Sequence, residues 1–168
     1  MTLSMHQASV SVFARQLTSL SGLLTKGAAF ADEQQIDPAT LIEARLAPDM
    51  HPLARQVQIA SDAAKGGCAR LAGVEIPSYP DDETSFETLQ QRIAKTIAFI
   101  EGIAPEAFDG AETKTVAFKA GPYDLSFTGA QFLLNFALPN LFFHVSMTYA
   151  ILRQNGVPLG KIDFLGGF

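Results

Sequence analysis

His144 is the histidine whose surroundings in this sequence suggest chemistry, because it lies in the middle of the most apolar predicted helix. A buried imidazole without a hydrogen-bond partner would be costly there, so a partner is expected. Asn140 and Thr148 share its stripe of the helix, and Gln56 lies on the predicted inner side of an earlier helix. These side chains could line a polar pocket for a small molecule, or form a buried network with no further role.

The remaining histidines and the cysteine give weaker signals. His6 and His51 each lie at the predicted start of a helix, where the dipole disfavours a cation, so we expect surface or capping roles. Cys68 lies among small residues and is expected to be a buried, unreactive side chain. A single cysteine permits no intrachain disulfide, which fits a reducing compartment.

Motifs of the common enzyme classes are absent from the sequence. It contains no nucleophile elbow, Walker loop, dinucleotide fingerprint or HExxH motif. The acidic residues are scattered over predicted loops and helix tips, so no pair of carboxylates shares an inner helix face, as a ferritin-like di-iron bundle would require. The sequence therefore does not identify a reaction.

Four amphipathic helices are expected to position the candidate residues. Apolar residues at three- and four-residue steps, with capping signals, place them at about Ser4 to Phe30, His51 to Gly73, Ser85 to Gly102, and Thr128 to Asn155. The second helix is lined mostly by small residues, which would let a neighbour approach closely or leave room for a ligand. Between the second and third helices, the acidic run Asp81-Asp82-Glu83 predicts a solvated loop.

A change of period precedes the last helix. Residues alternate over Thr115–Lys119 and over Tyr123–Phe127, with Gly121-Pro122 between them, which predicts a β-hairpin. Pro139 cannot donate to the carbonyl of Asn135 and is expected to kink the last helix. The apolar stripe of that helix is predicted to be Phe132, Phe136, Phe143, Met147, Ile151 and Leu152.

Length and composition favour one domain, residues 1–168, that forms a homodimer. Apolar residues make up 48% of the chain and charged residues 17%, which excludes disorder and leaves more apolar material than a monomer surface easily hides. The tail adds apolar residues without a helical period: Ile162, Phe164, Leu165 and Phe168.

Other partners and compartments are disfavoured. The net charge is −5 and no cluster of Lys and Arg with interleaved aromatic residues could follow a phosphate backbone, so no nucleic acid is expected. The N-terminus has no signal-peptide pattern, and the most apolar stretch, Phe132 to Phe143, is shorter than the roughly 20 residues of a spanning helix. We therefore expect a cytoplasmic protein without a membrane segment.

The chain also resembles a known family over essentially its whole length. The stretches that carry the resemblance include Arg55-Gln56-Val57-Gln58, Leu138-Pro139-Asn140-Leu141-Phe142-Phe143-His144-Val145 and Asn155-Gly156-Val157-Pro158-Leu159-Gly160-Lys161. They look like a bacterial family of unknown function that is grouped with the DinB/YfiT-like metalloenzyme superfamily. The resemblance implies an all-α, DinB-like four-helix bundle of up-down-down-up topology, here with a short β-hairpin before the last helix.

The resemblance also implies where a metal would lie. Better-known members of the superfamily hold a divalent metal with three histidines, one on helix two and an H-x-x-x-H pair on the last helix. His144 matches the first of that pair and Thr148 stands at the second position, while helix two offers Gln56, Ala60 or Asp62. One imidazole with neutral amide and hydroxyl groups suits zinc or nickel poorly, so no tightly bound cofactor is expected.

Three functions follow as hypotheses. The leading one is a DinB-like protein with a degenerate metal site, which binds a small molecule in a polar pocket formed by His144, Asn140, Thr148 and Gln56. The second is a metal-dependent hydrolase or thiol-transferring enzyme, with His144 as its one matching ligand and Asp62, water or substrate supplying other donors. The third is a non-catalytic structural or interaction protein that acts as a dimer.

Overall fold

The chain is mostly helical (64%) in the computed structural model, which describes residues 3–167. The helices are α1 (Val12–Glu33), α2 (Pro38–Ile42), α3 (Leu53–Ala72), α4 (Phe86–Glu101), α5 (Gly129–Phe132), α6 (Leu138–Gln154) and α7 (Lys161–Leu165). Two π-helical turns, Gln7–Ser11 and Leu133–Ala137, precede α1 and α6, and a 3-10 turn spans Pro105–Phe108. Strands β1 (Thr115–Ala120) and β2 (Tyr123–Thr128) pair as an antiparallel hairpin.

The four long helices α1, α3, α4 and α6 enclose one buried apolar cluster. Helix α1 packs against α4 and α6, and α3 packs against the same two helices. The cluster between them extends from Val10 to Leu159. The predicted helical class, with a hairpin before the last helix, is therefore confirmed. Within residues 3–167, none of the helices has the length and apolar character needed to cross a membrane.

Local signals account for the helix boundaries. The carboxylate of Asp37 accepts the N–H of Ala39 at 2.9 Å and begins α2. Ser85 and Thr88 cap α4 reciprocally, each side chain accepting the backbone N–H of the other. Helix α3 ends where Gly73 adopts a left-handed conformation, which costs a glycine little.

Pro139 is accommodated by a π-helical turn. The N–H of Leu138 donates to the carbonyl of Leu133, five residues earlier, and the turn Leu133–Ala137 joins α5 to α6. Such a turn holds one residue more than an α-helical turn, so the side chains beyond it are rotated relative to those before it. Pro139, the next residue, has no N–H to donate, but the regular series of α-helical hydrogen bonds is already interrupted at this point.

This rotation changes which residues of the last helix face the core. The prediction that Phe143 is buried is wrong, because its side chain is 51% exposed. Leu141 and Val145 are buried in its place. Of the other predicted positions, Phe132, Ile151 and Leu152 are buried, while Phe136 and Met147 are only half-buried. A prediction that assumes an unbroken α-helical period therefore assigns the wrong buried residues beyond the π-helical turn.

The C-terminal tail folds back onto α1. It contains the short helix α7, which the sequence pattern did not predict. Arg15 donates to the carbonyl of Gly167 at 2.8 Å, and the Phe164 ring packs edge-on against Tyr149. Part of the apolar tail therefore packs against the rest of the same chain. Phe168, the last of the predicted tail residues, lies outside the described residues.

Gly129, where the hairpin passes into α5, gives a test of this packing. A Cβ there would lie 1.9 Å from the carbonyl oxygen of Ala111. We expect Gly129→Ala to lower the free energy of unfolding by about 1–3 kcal/mol, measured by urea denaturation. Gly22→Ala in α1 is the control, because nothing lies within 4 Å of its added methyl, and it should stabilise by about 0.5–1 kcal/mol. Equal effects of the two substitutions would contradict the close approach at Gly129.

Candidate functional site

A hydrogen bond between His144 and Gln56 joins α6 to α3. Nδ1 of His144 lies 2.7 Å from Oε1 of Gln56, and both side chains are buried. Nε2 of Gln56 donates to the backbone carbonyl of His51 at 3.1 Å. This second bond orients the amide so that its oxygen faces the imidazole. An oxygen can only accept, so Nδ1 carries the proton and Nε2 of His144 is left with its lone pair.

The lone pair of His144 faces outward. Within residues 3–167, no side-chain nitrogen or oxygen is both fully buried and without a hydrogen-bond partner. Nε2 makes no hydrogen bond in that part of the chain, so solvent must reach it. The exposed ring of Phe143 stands edge-on to the imidazole, with ring centroids 5.1 Å apart. His144 therefore presents an unprotonated nitrogen at a partly apolar surface.

The imidazole is held in its neutral form. Burial, as the largest cause, and the nearby charges of His51 and Arg55 together lower the pKa of His144 to about 4. At neutral pH the ring is therefore uncharged. A base with so low a pKa holds an abstracted proton weakly, so Nε2 suits hydrogen-bond acceptance better than proton removal.

The other two predicted pocket residues do not join this pair. The hydroxyl of Thr148 is fully buried and donates to the carbonyl of His144 at 3.0 Å, within the same helix. Asn140 is half-buried and lines a separate cleft of about 160 Å³ on the side of α3 that faces the hairpin. The structure thus brings His144 and Gln56 together, with Thr148 behind them and Asn140 one turn away.

The side chains that the sequence marked as inert form no hydrogen bond with this pair. His6 packs edge-on against the ring of Phe108, and the side chain of His51 is exposed. Cys68 is buried, and desolvation raises the pKa of its thiol to about 12 despite a hydrogen bond from Ser9. A thiol with so high a pKa is not a nucleophile at neutral pH.

A buried arginine between α3 and α4 is a polar centre that the sequence pattern did not reveal. The side chain of Arg92 is only 1% exposed. It pairs with Asp62 at 2.9 Å, Glu83 at 3.0 Å and Asp81 at 3.1 Å, and it donates to Ser61 at 3.2 Å. The prediction of a solvated acidic loop holds for Asp81 and Asp82, which are exposed, and is wrong for Glu83, whose side chain is only 10% exposed and covers the guanidinium.

The described residues do not fit the three-histidine metal site that the resemblance implies. In residues 3–167, no group of three or more His, Cys, Asp and Glu side chains could hold a metal ion. The amide of Gln56 and the hydroxyl of Thr148 are already engaged in hydrogen bonds. Oδ1 of Asp62 accepts from both Arg92 and Lys65. His144 keeps a free imidazole nitrogen and Asp62 keeps only its second carboxylate oxygen, and one imidazole with one carboxylate oxygen is too little for zinc or nickel.

The chain is similar to a family of unknown function and to a solved structure. Residues 5–165 match the model of a family described as "Domain of unknown function (DUF1993)". A crystal structure of a DinB family member protein from Shewanella denitrificans is 38% identical, with a TM-score of 0.91, over 98% of this chain and 93% of that chain. No curated protein matches the chain. The chain therefore belongs to the DUF1993 family and shares its fold with a DinB family member.

Proposed function

We propose that this protein binds a small molecule at His144, in a DinB-like bundle whose metal site is degenerate. The observation that carries the proposal is the 2.7 Å hydrogen bond from His144 to Gln56, which fixes the tautomer and leaves Nε2 free at the surface. A buried imidazole with a purely structural role would be expected to use both of its nitrogens. Here one nitrogen is anchored and the other is open to solvent.

The same proposal includes the finer architecture. We infer one domain with four helices in up-down-down-up order. The pairwise packing of α1 and α3 on α4 and α6, and the similarity to a DinB family member, support this order. A bacterial protein in a reducing, cytoplasmic compartment fits the organism of that relative and the single cysteine.

The surroundings of Nε2 indicate the ligand's chemistry. A neutral nitrogen accepts a hydrogen bond, so the ligand must present a donor such as a hydroxyl or an amide N–H. The rings of Phe142 and Phe143 are both exposed on this stretch of α6, and Phe143 adjoins the imidazole. A ligand with a donor group on a small apolar body would satisfy both features, because its body could cover part of this exposed apolar surface.

Phenol is a suitable probe, since its hydroxyl can donate to Nε2 while its ring packs on Phe143. We expect phenol, but not toluene, to change the ¹⁵N chemical shift of His144 Nε2 in a saturable titration. The shift should persist in His51→Ala, which keeps the backbone carbonyl that orients Gln56. Phenol and toluene with equal effects would show that the nitrogen takes no part in binding.

Elemental analysis separates this proposal from the metal-dependent hydrolase or thiol-transferring enzyme. Protein purified without added metal should contain well under one equivalent of zinc or nickel, because neutral oxygen donors give these ions far less than imidazoles do. A full equivalent that dialysis against a chelator removes only slowly would contradict the ligand-binding proposal and support the enzyme.

His144 should also contribute to stability in a pH-dependent way. His144→Ala leaves the oxygen of Gln56 without its partner, and we expect a loss of about 1–3 kcal/mol in urea denaturation near neutral pH. The folded protein takes up this proton near pH 4 and the unfolded chain near 6.5, so stability falls as pH decreases through that range. The variant should lack this component of the decline, whereas His6→Ala, which removes a histidine that packs on Phe108 instead, should keep it. An unchanged pH profile in His144→Ala would contradict the lowered pKa.

We also propose that the protein forms a homodimer. Apolar side chains remain exposed outside the proposed ligand contact with Phe143, among them Leu134 in the π-helical turn and Phe142 in α6. Light scattering coupled to size exclusion should give twice the chain mass of 18.0 kDa. We expect Phe142→Ser to shift the protein towards the monomer, and the exposed hairpin variant Tyr123→Ser to leave the mass unchanged. A monomeric mass for the wild type at tens of micromolar would refute the dimer.

A further inference from the structure

We propose that a cleft between α3 and the hairpin is a second ligand site, which binds a small carboxylate through Arg70. This Arg70 cleft has a volume of about 160 Å³. Besides Arg70, its walls include Ile59, Ala63, Phe118, Phe136 and Asn140. It does not include His144 or Gln56, so the inference goes beyond the proposed function and neither depends on the other.

Arg70 is a half-buried cation for which the described part of the chain supplies no counterion. Its guanidinium carbon lies 4.6 Å from the centre of the Phe118 ring. The side chain folds back along α3, since a Cβ at Gly66 would come within 2.5 Å of Nη1. Within residues 3–167, no carboxylate forms an ion pair with it. Burial accordingly lowers the pKa of Arg70, as expected for a charge that has lost water and gained no partner.

The balance of charge around the cleft favours an anion. Asp62 is the acidic residue that lines it, but Arg92 and Lys65 already share its Oδ1 at 2.9 Å each. Lys119 adds a second positive charge at the rim, where its ammonium is 4.0 Å from Asp124. An incoming anion would therefore meet the uncompensated guanidinium of Arg70, with a lysine beside it.

The shape of the guanidinium and the walls narrow the class of anion. A guanidinium presents parallel N–H groups that match the two oxygens of a carboxylate. The rings of Phe118 and Phe136 stand edge-on with centroids 5.1 Å apart, and both are only half-buried. A cavity of roughly 150 Å³ accommodates benzene. The cleft thus suits a carboxylate that carries one ring or a short aliphatic chain.

The π-helical turn contributes directly to the cleft. Phe136 belongs to the turn Leu133–Ala137, and Asn140 follows one helical turn later. Such turns inside α-helices frequently occur at functional sites, because the extra residue re-aims the side chains around it. Here the turn leaves the amide of Asn140 and the ring of Phe136 facing the same cleft. A hydrogen-bonding group on the ligand, away from its carboxylate, could reach Asn140.

Benzoate and its neutral counterpart benzamide test the site. The two probes differ mainly in charge, so NMR titrations of the ¹⁵N-labelled protein should show saturable benzoate binding with the largest shifts at Ala63, Gly67 and Asn140. Benzamide should bind about tenfold more weakly or not at all, because it cannot pair with the guanidinium. Arg70→Gln should weaken benzoate binding about tenfold and leave the response to benzamide unchanged. Lys114→Gln, which removes an exposed lysine outside the cleft, should bind benzoate like the wild type.

Several outcomes would overturn the proposal. One is the absence of saturable benzoate binding at millimolar concentration, and another is equal binding of benzoate and benzamide. A third is undiminished benzoate binding by a folded Arg70→Gln variant. If that variant fails to fold, the comparison of benzoate with benzamide on the wild type still tests the proposal, because it requires no substitution. Loss of phenol binding at His144 would not affect any of these results, so the two proposals fail separately.

Discussion

Helix α3 packs between α4 and α6, so each polar side chain that it buries needs a partner from these helices, from α3 and the residues next to it, or from the loop before α4. Gln56 meets this requirement on the α6 side through His144, and Ser61 meets it on the α4 side through Thr96. Unpaired groups in such a position would cost about as much as a lost hydrogen bond each. The orientation of α3 relative to its neighbours is therefore set by polar pairs as well as by apolar packing.

The polar groups of α3 and its neighbours differ in how much bonding capacity remains to them. Arg92 has carboxylates, a hydroxyl and a backbone carbonyl around it, so nothing is left for a ligand. His144 has one nitrogen bound and one open, and Arg70 has an aromatic ring but no anion. Burial alone does not separate a structural group from a binding group. An unused donor or acceptor is what separates them, because a ligand that pairs with it offsets part of the free-energy cost of removing that group from water.

Much of this arrangement could be predicted from sequence, because it depends on local spacing. The positions of α3 and α4, the hairpin and the need of His144 for a partner all follow from periodicity and from the cost of an unpaired imidazole. The exposure of Phe143 could not be predicted, since it depends on the π-helical turn before Pro139. The pairing of Glu83 with Arg92 joins a loop to a helix. A run of acidic residues has the same pattern in a solvated loop and in a loop that covers a buried cation.

The hydrogen bond between Gln56 and His144 resembles the bond that orients a metal-bound histidine. A histidine that coordinates a metal through one nitrogen normally donates its other N–H to an oxygen, which fixes the tautomer. Gln56, one of three helix-two positions at which the resemblance would allow a metal ligand, supplies that oxygen. An amide held by the His51 carbonyl cannot turn its oxygen to a metal without giving up the imidazole. Gln56 therefore keeps the imidazole of His144 oriented while burial keeps it neutral, which is what an acceptor for a donor-bearing molecule requires.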